Sequence, residues 1–283
     1  MTLAMPSTLS ILQVAGLATV QDLGRPGFMH MGVPVGGALS PELCARANAS
    51  ARNQAHEATI ELVGALTVRA DRAVLIATDD GHARNLDAGE TFALPPGPHL
   101  RYVAIRGGLA VPFVLGGRGT LLVATLGGHH GRVLQKGDVL PVGDAPPHTR
   151  TLPDAPNITD PVHVVAGPDA ALFADGLAQL TRSTWRVSTR RDRTGVQLVG
   201  GHLGREKTQA SGASPEAPVA SAPMVRGAIQ VPPSGEPIVL GPDHPTTGGY
   251  PVVAVIPSRA LGRLLARPIG ARVRLVRAAL DQG

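Results

Sequence analysis

Cysteines, long apolar runs and a basic leader are absent or nearly absent from this chain. Of its 283 residues only Cys44 is a cysteine, which excludes an internal disulfide and a structural zinc site built on several thiolates. No run approaches the ~18 apolar residues of a membrane-spanning helix. The first 21 residues carry no charged side chain, but they lack the basic start of a secretory signal peptide. We therefore expect a cytoplasmic protein with no membrane segment.

Aromatic residues and lysines are also scarce. Aromatics make up 2% of the chain, and only Lys136 and Lys207 of the 26 basic residues are lysines. With 21 acidic residues, the formal net charge is +5. The arginines are spread along the chain rather than gathered in a stripe with aromatics that stack on bases, which argues against a nucleic-acid partner. Small anionic substrates remain compatible with this charge.

Glycine and proline are abundant, with 35 and 26 residues, which excludes a helix bundle and favours short strands joined by turns. Short apolar runs predict strands at residues 73–77, 100–105, 162–166, 197–199, 237–240, 252–256 and 271–276. Short helices are predicted at residues 43–50, 170–180 and 259–266, capped by Ser40, Asp169 and Ser258. The fold class is therefore mainly β, a barrel or sandwich with a few short helices.

The chain length favours two domains. Residues 143–161 are rich in proline and follow neither helical nor strand periodicity, so they contain the predicted boundary. We predict an N-terminal region over residues 1–145, a linker over 146–161 and a C-terminal region over 162–283. Residues 209–223 hold no large apolar residue except Val219, and are either a mobile loop or a lid over a site in the second region.

Several well-known catalytic signatures are missing. The sequence contains no GxxxxGK[ST] phosphate loop, GxSxG nucleophile elbow, HExxH pair or GxGxxG followed by a helix. His129 and His130 are adjacent, and adjacent side chains on a strand face opposite sides, so an exposed turn is the better interpretation than a pair of metal ligands. We expect no metal site.

Residues 19–27, TVQDLGRPG, form the first stretch with chemical potential. Gln21, Asp22 and Arg25 lie within five residues of one another on a path fixed by glycine and proline. Such a loop can present a carboxylate and a guanidinium side by side, suited to a substrate amide and carboxylate. The alternative is a structural Asp22–Arg25 pair that closes the turn.

Residues 243–251, DHPTTGGYP, form the second stretch. Gly248 and Gly249 permit backbone geometries that aim successive N–H groups at one point, and the hydroxyls of Thr246 and Thr247 add donors, which together predict an anion cradle. The alternative is a hairpin turn with Tyr250 packed behind it.

Residues 190–195, RRDRTG, form the third stretch, in which Asp192 has arginines on both sides. It is either a solvated charged turn or a contact for an oxyanion or phosphate, and the spacing does not decide between them.

Four further motifs lie among these three stretches: GVPVGGALSPELCARAN, GGRGT, GGHHGRVLQKGDVLP and GAIQVPPSGEPIVL. Taken in chain order, all seven resemble the biotin-dependent carboxyltransferase family, also called allophanate hydrolase subunit 2. The resemblance runs from about residue 11 to residue 276. It implies two cyclophilin-like β-barrel regions and a partner of the allophanate hydrolase subunit 1 type. The family includes the C subunit of bacterial 5-oxoprolinase, which acts with this partner and with a third, barrel-type chain in the ATP-dependent opening of 5-oxoproline to glutamate.

The resemblance also implies roles for individual residues. The family is associated with two reactions, the opening of 5-oxoproline and the transfer of a carboxyl group to urea. Both activate an unreactive amide or urea, which requires oxyanion donors and fixed positive charge. The implied hydrogen-bond donors are Thr246, Thr247, Gly248 and Gly249. The implied positive charges are Arg25 and Arg193. The amide is oriented by Gln21, Asp22 and Gln230, and Tyr250 lines the pocket.

The resulting expectation is a subunit of an ATP-dependent 5-oxoprolinase, active only in complex, with a small amide as substrate. ATP, with Mg²⁺, is expected on the partner or shared with it. One alternative is the carboxyltransferase component of a biotin-dependent urea or amide carboxylase, in which case biotin is the cofactor. Another is a non-catalytic regulator that binds a homologue of a kinase inhibitor, because one branch of the family is named for that activity.

Overall fold

The structure is a computed structural model that describes residues 7–97, 100–144, 151–173, 175–204 and 220–278. It divides into two compact units: unit 1 consists of Met1–Phe28 and Val35–Pro156, and unit 2 of Met29–Pro34 and Asn157–Gly283. The predicted limits of the two regions and their linker stay a prediction. Most of the candidate lid, residues 209–219, lies outside the described residues.

Unit 1 is built on two long antiparallel strands, β1 (Thr8–Gln21) and β2 (Thr59–Ala70), which pair from Leu9 opposite Ala70 to Gln21 opposite Thr59. The sheet order is β4-β3-β6-β2-β1-β7, and β5 also pairs with β2. The shorter strands are β3 (Val74–Thr78), β4 (Ala83–Leu86), β5 (Thr91–Leu94), β6 (Arg101–Ile105) and β7 (Val139–Pro141). Alternate residues of β1 and β2, among them Leu9, Ile11, Ile60 and Leu62, are buried in the core.

A helix and a buried polar network cover one part of this sheet. Helix α1 (Pro41–Ser50) begins after Ser40, whose hydroxyl accepts a hydrogen bond from the Leu43 N–H at 3.5 Å. The buried Glu61 carboxylate accepts hydrogen bonds from the Tyr102 hydroxyl at 2.6 Å and the Leu39 N–H at 2.7 Å. These contacts fix the segment that enters the helix.

Unit 2 contains one sheet in the order β16-β9-β10-β13-β12-β15-β8-β17, antiparallel except for the parallel β17–β8 pair. Its strands are β8 (Val162–Ala166), β9 (Trp185–Arg191), β10 (Gly195–Val199), β12 (Ala228–Gln230), β13 (Ile238–Leu240), β15 (Val252–Val255), β16 (Arg272–Val273) and β17 (Leu275–Arg277). Strands β11 (Ala222–Pro223) and β14 (Thr247–Gly248) form a separate pair. Trp185 is fully buried, and its indole N–H donates to the Leu180 carbonyl at 2.8 Å.

Two short helices complete unit 2: α2 (Gly176–Arg182) and α3 (Ser258–Leu265). The helix predicted over residues 170–180 is wrong in its extent, because a 3-10 turn covers Ala170–Leu172 and α2 begins only at Gly176. Asp169 does not cap it, since its carboxylate accepts the Val252 N–H at 2.8 Å instead.

Both sheets are curled and nearly closed, so the predicted mainly β, barrel-like fold is confirmed. The helices in the described part of the chain are all too short to cross a membrane.

Candidate functional site

Two of the three candidate stretches meet at a cavity of about 610 Å³ in unit 2. This volume is in the range of small-molecule sites. Its polar lining includes Arg190, Asp192, Thr194, Gln197, Ser234 and Tyr250. We call it the unit 2 cavity.

The RRDRTG stretch is the turn between β9 and β10, at the edge of this cavity. The Asp192 carboxylate accepts hydrogen bonds from the N–H groups of Thr194 at 2.7 Å and Gly195 at 3.0 Å. The carboxylate therefore shapes its own turn, as aspartates in tight turns commonly do. The turn presents Arg190 and Thr194 to the cavity.

A buried ion pair ties this turn to the DHPTTGGYP stretch. Arg193 donates from Nε to Asp243 Oδ2 at 2.8 Å and from Nη2 to Oδ1 at 3.1 Å, and the two side chains are 5% and 2% exposed. The Asp243 N–H donates to the Arg193 carbonyl at 3.0 Å. Arg193 was expected to supply charge to a substrate, but its guanidinium is directed at Asp243, which suits it to position the loop.

The predicted anion cradle has a different backbone from the one expected. Thr247 and Gly248 form β14, and the Thr246 carbonyl accepts the Met224 N–H at 2.9 Å. Neither Gly248 nor Gly249 has a positive φ, so their N–H groups do not form the concave nest that alternating backbone handedness produces. The threonine hydroxyls are the remaining side-chain donors of this segment, and Thr247 is exposed whereas Thr246 is half-buried.

Gln230 lies behind this segment and explains one of its glycines. Gln230 is 6% exposed, and its side-chain NH₂ lies 3.1 Å from the sulfur of Met224. A Cβ at Gly248 would lie 2.7 Å from Gln230 Nε2, closer than any real contact. Gly248 thus allows β14 to approach Gln230. Tyr250 follows at the cavity and is 47% exposed.

The TVQDLGRPG stretch lies in unit 1, where it comprises the end of β1 and the loop that follows, and Gln21, Asp22 and Arg25 are buried. The two oxygens of the Asp22 carboxylate accept the N–H groups of Gly24 at 2.8 Å and Arg118 at 2.6 Å. The fully buried Arg25 donates to the carbonyls of Val114, at 3.4 Å, and Gly119. Both charged groups therefore hold the backbone of a glycine-rich loop.

The side-chain oxygen of Gln21, Oε1, is an acceptor of this cluster that has no donor in the described part of the chain. Its Nε2 donates to the Thr120 carbonyl at 3.0 Å and the Thr19 hydroxyl at 3.1 Å, whereas Oε1 is buried and has no partner among the described residues. A Cβ at Gly119 would lie 2.8 Å from both Gln21 Oε1 and an Asp22 carboxylate oxygen. Glycine at this position leaves the space beside both oxygens open.

Comparison with known proteins assigns these two units to one family. The model of the family described as "Carboxyltransferase domain, subdomain A and B" matches residues 31–277. The chain belongs to this carboxyltransferase family. The resemblance inferred from the sequence motifs is thereby confirmed.

Relatives of this carboxyltransferase-domain chain include 5-oxoprolinase C subunits and urea amidolyases. It is 31% identical to the C subunit of 5-oxoprolinase from Escherichia coli (strain K12), over 97% of the chain and 92% of that protein. It is 26% identical to urea amidolyase of Lachancea kluyveri, over 92% of the chain but only 16% of that much longer protein.

Solved structures have the same fold. The urea amidolyase of K. lactis superimposes with a TM-score of 0.86 at 23% identity, over 98% of this chain and 19% of that one. The protein TTHA0988 superimposes with a TM-score of 0.80 at 26% identity, over 97% of this chain. The carboxyltransferase-domain chain spans 57% of the length of TTHA0988.

Sequence reasoning missed Gln197, a cavity residue of the carboxyltransferase domain. It stands in β10, and it was noted only as part of a predicted strand. The signal that could have identified it is a single amide in the otherwise apolar run GVQLV, because an uncharged polar residue inside a buried strand needs a partner.

The histidine pair lies in a turn, as expected, and His130 is exposed, but His129 is not. His129 and His130 line a second cavity of about 590 Å³ in unit 1, and His129 is half-buried. Its Nε2 lies 3.4 Å from Asp138, whose carboxylate binds Arg132 in a bidentate pair, and burial lowers the pKa of His129. Within the described ranges, no group of three or more histidine, cysteine or acidic side chains could hold a metal ion.

Proposed function

We propose that this chain belongs to an ATP-dependent 5-oxoprolinase complex, which hydrolyses the lactam C–N bond of 5-oxoproline to give glutamate. The observation that carries the proposal is the 31% identity to the C subunit of the E. coli 5-oxoprolinase over 97% of the chain and 92% of that protein. A match over nearly the full length of both proteins supports a shared role better than a match to a small part of a multidomain enzyme.

Under this proposal the unit 2 cavity binds the amide substrate. The hydroxyls of Thr194 and Tyr250, which line the cavity, are donors suited to a carbonyl oxygen. Thr246 and Thr247 are not among its lining residues, and we propose their hydroxyls as further donors from the segment that carries Tyr250. The ion pair of Arg193 with Asp243 holds the segment that carries Thr246, Thr247 and Tyr250. Gln230 lies behind β14, and Gly248 allows this strand to approach it.

In unit 1, Gln21, Asp22 and Arg25 hold the loop that follows β1. Gln21 Oε1 is buried and accepts no hydrogen bond from the described residues. Asp22 and Arg25 then act as residues that position this loop.

ATP does not fit the residues of the unit 2 cavity. The Arg190 side chain lies 3.1 Å from the Glu236 carboxylate, and Arg191 donates to the carbonyls of Leu265, at 2.7 Å, and Arg267. Asp192 adds a negative charge to the lining. Because a triphosphate needs positive charge directed at it, we place ATP and Mg²⁺ on a partner chain or at a site shared with it, and derive no step from them.

The proposed partners are a chain of the allophanate hydrolase subunit 1 type and a third, barrel-type chain. The experiment purifies this chain with both partners and measures ATP hydrolysis and glutamate release from 5-oxoproline, leaving out each chain in turn. We expect both activities to disappear when this chain is omitted. Unchanged turnover without it, or no turnover by a verified complex, contradicts the proposal.

A second candidate function is carboxyl transfer from carboxybiotin to urea or another small amide. It is favoured by the 26% identity to urea amidolyase over 92% of this chain. These 283 residues contain no biotin carrier motif, so carboxybiotin would be supplied from outside them. Urea-dependent loss of the carboxyl group from carboxybiotin, in a preparation inactive on 5-oxoproline, would favour this function.

A further inference from the structure

Gln197 lies in β10, and its side chain lines the unit 2 cavity. The residue is 8% exposed. Its side-chain nitrogen lies 2.6 Å from the Glu236 Oε2 oxygen. A buried amide has two ends to satisfy, and this contact involves only one of them.

The Glu236 contact decides which end of the amide faces the cavity. A carboxylate only accepts hydrogen bonds, so the NH₂ of Gln197 must face Glu236, because the flipped amide would bring two acceptor oxygens together. Arg190 Nη2 lies 3.1 Å from the same Glu236 oxygen and holds the carboxylate in place. The carbonyl end, Oε1, has no partner among the described residues.

We propose that Gln197 Oε1 accepts a hydrogen bond from the N–H of a small lactam, amide or urea bound in the unit 2 cavity, and that Glu236 is the positioning residue that fixes this orientation. The choice of a lactam rests on the proposed function, whereas the need for an N–H donor rests on the cavity alone. The Thr194 and Tyr250 hydroxyls of the same lining can donate to the neighbouring carbonyl oxygen. An acceptor and donors in one cavity match the paired N–H and C=O of an amide.

A ligand without the N–H gives Oε1 no donor, and sites built to bind a substrate N–H discriminate strongly against analogues that lack it. The experiment measures binding of 5-oxoproline, 2-pyrrolidone and urea, and of the N-methyl forms of the two lactams, by calorimetry. It uses the full chain and the purified complex. We expect each lactam to bind at least ~10-fold more tightly than its N-methyl form.

Two variants test the residues. Gln197→Met keeps the side-chain length and removes the acceptor, so we expect the preference for N–H over N-methyl lactams to be lost. Glu236→Gln leaves the cavity amide intact but allows it to flip, so we expect a smaller preference with retained binding. Gln135→Met, at an exposed glutamine of unit 1, is the matched control and should keep the wild-type ratio. Because the readout is a ratio of two ligands, a general loss of stability does not imitate it.

The outcomes separate this inference from the proposed function. A wild-type ratio in Gln197→Met overturns the inference, even if the complex turns over 5-oxoproline. Binding of urea or 2-pyrrolidone that depends on Gln197, in a complex inactive on 5-oxoproline, supports the inference and counts against the proposed function. If none of the N–H compounds binds to the chain or to the complex, the inference is wrong.

Discussion

Arg193 and Asp243 of unit 2 form a bidentate ion pair whose side chains are 5% and 2% exposed. Removing one partner breaks a bidentate contact between two buried charges, which costs more than the pair itself contributes. The pair also joins the turn and the loop that border the unit 2 cavity. Its loss should therefore affect both stability and the site.

We expect Arg193→Gln to lower the free energy of unfolding by about 3–5 kcal/mol. The control is Arg182→Gln, because the Arg182–Asp175 pair has side chains that are 68% and 76% exposed, and we expect a loss of less than about 1 kcal/mol. Urea unfolding followed by circular dichroism measures both. Equal losses in the two variants would show that the buried pair has no special role.

Cys44 is a second residue with a clear expectation. Its thiol is fully buried on α1, 3.5 Å from the Thr59 hydroxyl, and burial raises its pKa from 9.0 to about 12. Since the thiolate is the reactive form, we expect a thiol reagent at pH 8 to label the native protein at least ~100-fold more slowly than the urea-unfolded chain. Rapid labelling of the native protein would contradict the burial.

The same shift has a consequence for alkaline stability. A folded-state pKa above the unfolded value means that the unfolded chain loses its proton first as the pH rises. The stability that the buried thiol contributes is therefore complete below about pH 9 and declines as the pH approaches 12. Cys44→Ala should remove this part of the pH dependence in urea unfolding measured above pH 9.

At the scale of elements, the β1–β2 pair depends on two glycines that face each other. Gly16 and Gly64 are paired in register, with φ of +110° and +125°. A Cβ at Gly64 would lie 1.9 Å from the Ala15 carbonyl oxygen. Only glycine allows the two strands to approach this closely with positive φ.

We expect Gly64→Ala to lower the free energy of unfolding by more than about 4 kcal/mol, because a backbone clash adds to the strained φ. Gly89→Ala is the control: its φ is +83°, but a Cβ there meets nothing within 4 Å, so only the strain of about 1–2 kcal/mol remains. Thermal or urea unfolding of both variants separates the two contributions. A loss at Gly64 no larger than that at Gly89 would contradict the close approach.

The helices show how far local sequence predicts an element. The signals for α1 are all local, namely the Ser40 cap, proline at the first position and an acid in the first turn, and its predicted place is confirmed. The signals for residues 170–180 were equally local, but the Asp169 carboxylate binds the Val252 N–H, 83 residues away. A tertiary hydrogen bond thus removed the cap that the sequence suggested.

The long strands show the opposite case. Strands β1 and β2 were not predicted, because polar and small residues interrupt their apolar alternation. The interruptions coincide with Gly16 and Gly64, which have positive φ, and residues 13–17 around Gly16 are exposed or half-buried. A continuous period of two is expected only of a flat strand with one buried face.

At the scale of the whole molecule, the proposed function assigns turnover to a complex, and Thr247 tests whether this chain contributes a donor. We expect Thr247→Val to lower turnover of the reconstituted complex by about 100-fold, because valine keeps the shape and removes the hydroxyl. The fold should be unchanged, since Thr247 is exposed on β14.

The matched control is Thr91→Val, at another exposed strand threonine in unit 1. It should leave both turnover and the unfolding transition unchanged. Wild-type turnover in Thr247→Val, with the complex verified as assembled, would remove Thr247 from the proposed site.

Composition and motifs by themselves determined the mainly β class and the carboxyltransferase family, because turn residues, apolar runs and short motifs are properties of neighbouring positions in the chain. Only the tertiary structure decided what the charged and polar groups do. Arg193 is paired with Asp243, 50 residues away, and the Gln197 amide is oriented by Glu236, 39 residues away. Burial and pairing depend on distances in space, and the spacing of residues along a sequence does not contain them.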